Sequence, residues 1–197
     1  MARATGGPQS CQPEFPFREG WWGGDGGYSI LLPSGQTLWI FDDSFVGTSK
    51  NKNRSGTRMV NSTVAFGSCD PEGKFNVRYV WGRQGTRHPQ AVFPPVPNEY
   101  KLWTENGFTR GEDVYVALLM VRGRPDLPGA FSWEYIGTRL VRIRNVERPF
   151  AEWRIDYFDL YQGKVFPGRS FVREGEYVYL FSPTETGDAQ HAPTFLI

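Results

Sequence analysis

Helical periodicity is almost missing from these 197 residues, and so is net charge: twenty-two basic side chains stand against twenty-one acidic ones, a balance of +1. The first absence argues against helix bundles and alternating α/β folds, because apolar residues do not recur at helical spacing. The second removes the field that would attract a phosphate backbone or an anionic membrane surface, so nucleic acid is not an expected partner. Long apolar runs are lacking as well. None approaches the roughly twenty residues of a membrane-crossing helix, and nothing near Met1 joins a basic start to an apolar stretch of signal-peptide length. Cys11 and Cys69 are too few for a disulfide framework and leave open either one disulfide or two buried thiols. His88 and His191 lie far apart and outside any HExxH or cysteine-rich pattern, so neither a metal nor a cofactor is expected. Gly-x-Ser-x-Gly, P-loop and dinucleotide fingerprints are absent; the glycine-rich run at 23–27 leads into a strand, not into a helix N-terminus that could cradle phosphate.

What is present is aromatic and strand-forming. Aromatic residues make up 16% of the chain, including seven Trp and nine Tyr, and their flat apolar faces with polar edges suit sugar rings as well as a β core. Short β-branched and aromatic runs alternate with Gly, Pro, Asn and Asp, which makes the class all-β. Strands are expected at 28–32, 37–42, 59–66, 75–81, 101–103, 114–121, 137–143, 153–158, 165–172 and 177–182. Three segments starting at Gly35, Gly111 and Gly175 share a glycine turn, a polar pair and an aromatic-aliphatic strand, a weak repeat compatible with propeller blades or with a β sandwich.

The chemistry-bearing residues cluster early. Asp25 stands among glycines behind Trp21-Trp22, and Asp43 follows the strand Leu38-Trp39-Ile40-Phe41. The turn at 32–36 folds one segment over the other and would bring Asp25 and Asp43 to the same end of a sheet. Paired carboxyls of this kind can split a glycosidic bond, one protonating the leaving oxygen and one activating water or attacking the anomeric carbon. Strand alternation should turn Asp43 toward the site and Asp42 away, as a solvated or arginine-paired carboxylate. Trp21 and Trp22 are candidates for a sugar platform, with one of them expected in the core; Arg58 and Asn61 could bind sugar hydroxyls or support the aspartates. Glu134, between Trp133 and Tyr135, is a further acid to consider, although an exposed glutamate in a Gly/Pro-rich loop is the favoured reading. The loop at 123–129 could wall a cleft.

The runs Gly-Trp-Trp-Gly-Gly-Asp-Gly-Gly-Tyr-Ser at 20–29, Leu-Pro-Ser-Gly-Gln-Thr-Leu-Trp-Ile-Phe-Asp-Asp-Ser-Phe-Val-Gly at 32–47, and Arg58-Met59-Val60-Asn61-Ser62 resemble a bacterial propeller family long catalogued as domain of unknown function 4185 (DUF4185), whose members are classed as endo-D-arabinanases. The resemblance implies a five-bladed β-propeller, with this chain covering about three blades and ending inside a strand at Thr194 to Ile197. It implies a lead-in at 1–19, a glycoside-hydrolase-like domain at 20–197, and Asp25 and Asp43 as the catalytic pair. This chain departs from that family's usual Gly-Asp-Thr by reading Asp42-Asp43-Ser44. The expected substrate is a furanoside-containing, arabinan-type polysaccharide, and the expected location is secreted or periplasmic. A non-catalytic carbohydrate-binding propeller is the alternative, followed by a purely structural interaction module.

Overall fold

The computed structural model describes residues 11–48, 50, 53–97, 99–129, 132–163, 166–182 and 195–196. His191, Phe131, Val165, Thr194 and Ile197 lie outside them. The fold is all-β, with one short 3-10 turn at Phe150–Glu152. Among the described residues, no helix is long and apolar enough to cross a membrane.

Three antiparallel sheets follow one another along the chain. The first contains β1 (Trp21–Leu31), β2 (Thr37–Val46), β3 (Arg58–Val60), β4 (Thr63–Cys69) and β5 (Phe75–Val80), in the order β1-β2-β4-β5 with β3 paired to the end of β2. The second is the meander β6 (Lys101–Arg110), β7 (Asp113–Gly123), β8 (Trp133–Arg144) and β9 (Arg154–Gln162). The third is β10 (Ser170–Glu174), β11 (Tyr177–Ser182) and β12 (Phe195–Leu196). The leading strands converge, since β6 packs against β1, β2 and β10. The described sheets do not close into a ring, so the closed five-bladed propeller is not seen among them.

Period-two alternation explains the layering. Leu38 and Ile40 of β2 join Ile30, Val64 and Phe66 in a core shared with Val114, Val116 and Leu118 of β7 and Val141 and Ile143 of β8. The opposite face of β2 sends Phe41 into a second cluster with Trp21, Val46, Tyr79 and Trp81. Leu119 and Val121, on the other face of β7, meet Phe166 in a third cluster toward the third sheet. Because β7 is covered on both faces, its sequence reads as a nearly continuous apolar run.

The strands run longer than expected where glycine is concentrated. β1 begins at Trp21 and takes in the glycine-rich run that resembled a loop, with Gly23, Gly26 and Gly27 at φ of 111°, 76° and 111°. Such angles let the strand bulge while it stays paired. The expected strand at 59–66 is two strands, β3 and β4, and the one at 165–172 begins only at Ser170.

Cys11 and Cys69 are joined in a disulfide, with Cα atoms 5.8 Å apart, and Cys69 is exposed; the alternative of two buried thiols is set aside. The bond ties the leading segment to the end of β4. Phe15 then fits edge-on against Trp39 and Phe41, Arg18 donates to the Val77 carbonyl at 2.7 Å, and the Tyr79 hydroxyl donates to the Pro16 carbonyl at 3.0 Å. Opening a loop of 58 residues should cost about 2–4 kcal/mol. Cys69→Ser is therefore expected to lower the unfolding free energy measured in urea by that amount, and reductant should lower the wild type toward the variant while leaving the variant unmoved.

Candidate active site

At the convergence of the leading strands lies a cavity of about 570 Å³. The first sheet supplies Asp25, Tyr28, Asp42, Asp43 and Met59; the second supplies Lys101, Trp103, Glu105, Leu119, Trp133 and Tyr135; Arg169 comes from just ahead of β10.

The two neighbouring aspartates of β2 both line this cavity, against the expectation that alternation would send Asp42 the other way. The register shows why. Gly24 pairs with Ser44 and Gly26 with Phe41, so Asp25 alone faces the two residues Asp42 and Asp43. This is a β-bulge on β2, and a bulge breaks alternation and re-aims side chains. Asp42 is neither solvated nor paired with arginine. Its Oδ1 accepts both the Thr104 backbone N–H and, at 2.6 Å, the Thr104 hydroxyl, across the gap to the second sheet.

Burial is the main force on Asp42 and lifts it to about 7; the Thr104 donors oppose that rise, while the nearby charges of Asp25 and Glu105 add to it. Asp25, at the exposed mouth, is also raised, first by partial desolvation and then by the charge of Asp43. Asp43 accepts the Asn61 side-chain amide at 3.1 Å, which places Asn61 behind the carboxylate as its support.

Glu105 is a fourth acid, overlooked in the sequence because the strand was expected to end at Trp103. It is 3% exposed and is raised by burial, with Arg169 pulling the other way. Arg169 Nη1 donates to its Oε1 at 2.8 Å and Oε2 at 3.1 Å, and the Tyr28 hydroxyl donates to Oε2 at 2.9 Å. Desolvation and the Glu105 charge push Tyr28 up to about 12, so it remains a donor at neutral pH.

The remaining sequence candidates are redistributed. Trp21 is 2% exposed, stacks on Tyr79 at 4.3 Å and donates from Nε1 to Thr63, so it is a core residue with no face left for a sugar. Trp22 is half-buried beside Phe17 and does not line the cavity. Arg58 is exposed and borders a separate cavity with Thr86 and Arg87, because Met59, its neighbour on β3, takes the inward position. The aromatic wall comes from the second sheet: Trp103 and Trp133 meet edge to face at 5.0 Å, as do Trp133 and Tyr135. Glu134 faces away and is tied by Arg122 at 2.6 Å and Arg124 at 3.0 Å, which hold it below its ordinary range. Loop residues 124 and 126 pair with each other at 2.6 Å, and no residue of the loop at 123–129 lines the cavity. His88 is exposed on its loop. Among the described residues, no group of three or more His, Cys, Asp or Glu is arranged to hold a metal ion.

The raised Asp42 links stability to pH. The folded chain retains a proton that the unfolded chain releases near pH 4, so the Asp42 contribution is complete below about pH 4 and is lost as pH rises through about 7. Asn keeps an oxygen for Thr104 and carries no charge. Asp42→Asn is therefore expected to exceed the wild type in stability at pH 8 by on the order of 2–4 kcal/mol and to match it closely near pH 4, as measured by urea unfolding across that range.

Comparison with known proteins places the chain more firmly by sequence than by function. No curated protein matches it. Its fold is similar to that of a Bacteroides ovatus protein whose crystal structure, at 2.80 Å, is described as that of a "putative hydrolase": the TM-score is 0.61 at 17% identity, over 85% of this chain and 48% of the other. The chain thus spans about half the length of that structure. The resemblance to DUF4185 and its endo-D-arabinanases is overturned, because residues 15–194 match a different family, and the arabinan expectation loses its basis with it. The shared glycine, tryptophan and aspartate run is a local feature of a bulged β-hairpin. By that match over most of its length, the chain belongs to the family described as Domain of unknown function (DUF5005).

Proposed function

We propose that this protein is a glycoside hydrolase acting on a polysaccharide or oligosaccharide, with Asp25 and Asp43 as the reacting pair. The observation that carries the reading is the bulge that sets Asp25 opposite Asp42 and Asp43 inside an aromatic-walled cavity. Partial burial and the neighbouring carboxylate raise Asp25, which suits it to protonating the leaving glycosidic oxygen. Asp43, steadied by the Asn61 amide, then attacks the anomeric carbon or takes a proton from the attacking water. Asp42 stays largely neutral below about pH 7, which limits repulsion among three carboxyls at one bulge.

The three sheets, with leading strands packed together, are read as blades of a propeller whose axis passes the cavity, and residues 20–197 as the domain behind a lead-in at 1–19. Its resemblance in fold to a protein described as a hydrolase agrees with this reading. The Cys11–Cys69 disulfide favours an oxidising compartment, secreted or periplasmic.

Trp103, Trp133 and Tyr135 favour one second reading, a propeller that holds sugar without cleaving it. Reducing-end release from a broad panel of polysaccharides separates the two. Asp25→Asn and Asp43→Asn, each still folded by circular dichroism, are expected to lose about 10²–10⁴-fold in rate. Binding without release across the panel would leave the non-catalytic reading.

A further inference from the structure

The walls of the cavity differ in chemistry. The first sheet contributes three aspartates, whereas the opposite side is formed by Lys101, Trp103, Glu105, Trp133 and Tyr135 of the second sheet and by Arg169 just ahead of β10. We infer that this second wall is a subsite for a sugar residue bearing an anionic substituent, a carboxylate or a sulfate; the inference rests on the glycan-binding reading of the cavity and names its substrate class.

Arg169 sits at the edge of this wall. Its side chain is 51% exposed, while its partner Glu105 is 4% exposed. The hydrogen bonds that Arg169 makes among the described residues all leave from Nη1, toward both Glu105 oxygens and the Tyr28 hydroxyl. One nitrogen is thus clamped from behind, and among the described residues Nε and Nη2 make no hydrogen bond, which leaves that edge of the half-exposed guanidinium as the donor pair for a ligand in this proposal. Two parallel donors on a planar guanidinium match a carboxylate or sulfate, and the clamp has already restricted the side chain before any ligand arrives.

A buried carboxylate paired with arginine is a poor stabilising device, since an apolar pair of similar size often does as well or better. Here the pair spans two sheets and presents its exposed half to a cavity, which is what holding a binding group requires. Glu105 cancels the formal charge of Arg169 but not its donors. Lys101, exposed on β6 and two residues before Trp103, lies on the same strand face and supplies positive charge to this wall. Between them the edge-to-face corner of Trp103 and Trp133 can take the apolar face of the ring.

Quenching of tryptophan fluorescence tests the proposal with glucuronate, galacturonate and glucose 6-sulfate against glucose and galactose, at low and high salt. The wild type is expected to half-saturate with one or more of the charged sugars at about tenfold lower concentration than with the neutral ones, and salt should erode that preference. Which charged sugars respond decides between carboxylate and sulfate. Arg169→Met should abolish the preference, while Lys101→Met, a surface change that leaves the Glu105 pair intact, should reduce it about threefold. Equal binding of neutral and charged sugars by the wild type, no binding of any of them, or a preference untouched in both variants would overturn the inference. Release of products together with equal binding of neutral and charged sugars would leave the hydrolase standing while this subsite fell; a charged-sugar preference without any release would do the reverse.

Discussion

Two donors from Thr104 converge on one oxygen of Asp42, and that contact sets how the first sheet stands against the second. It demands a close approach of β6 to the β1–β2 hairpin, and Gly107 permits it: a Cβ there would collide with the Tyr115 carbonyl oxygen and with Ile30. Beside this, the pairing of β6 with β7 slips between Thr104 and Gly107, and the slipped segment contains Glu105. The same junction that holds the sheets together therefore delivers the fourth acid to the cavity. From Glu105 the chain of contacts continues to Tyr28 on the first sheet and to Arg169 ahead of the third.

Gathering acids at such a junction opposes folding. Asp25, Asp42 and Glu105 are all raised chiefly by burial, and each shift is a cost borne by the folded state above the ordinary carboxylate range. A structural junction would be better served by apolar residues, which the flanking clusters show this chain can place: Leu38 and Ile40 lie completely buried a few residues from Asp42. Acids kept at that expense, in a cavity of this size, are more economically explained by chemistry than by architecture.

The strands were legible because apolar and aromatic runs alternate at period two, and the central β7 stood out as a continuous run. That Asp25 and Asp43 meet at one end of the β1–β2 hairpin was legible from the turn at 32–36. The failures share a physical cause, which is the bulge. Alternation predicts opposite faces for Asp42 and Asp43, and the uneven pairing against Asp25 cancels it. A strand at 101–103 stops short of Glu105, although β6 runs to Arg110 through the slip in its pairing with β7 between Thr104 and Gly107. Of the tryptophan pair, one member is expected in the core and Trp21 is that one, stacked on Tyr79, but Trp22 does not line the cavity and so supplies no platform there. Arg169 carries no local signal at all; only the meeting of the third sheet with the first two gives it a partner.

Cavity residues at positions 25, 105 and 169 come from the first sheet, the second sheet and the segment just ahead of the third, so their meeting is set by long-range packing. A ligand that touches all three walls would bind only when all three sheets are docked, and mass action would then stabilise their docking along with the site. The acidic wall is rigid at its base, where Thr104 grips Asp42, and open at its mouth, where Asp25 is exposed. The cationic wall is likewise clamped behind, at Glu105, and open in front, at Arg169. Both walls thus set a fixed carboxylate behind an accessible charged side chain, an arrangement that would position a working group without immobilising the surface a ligand must enter.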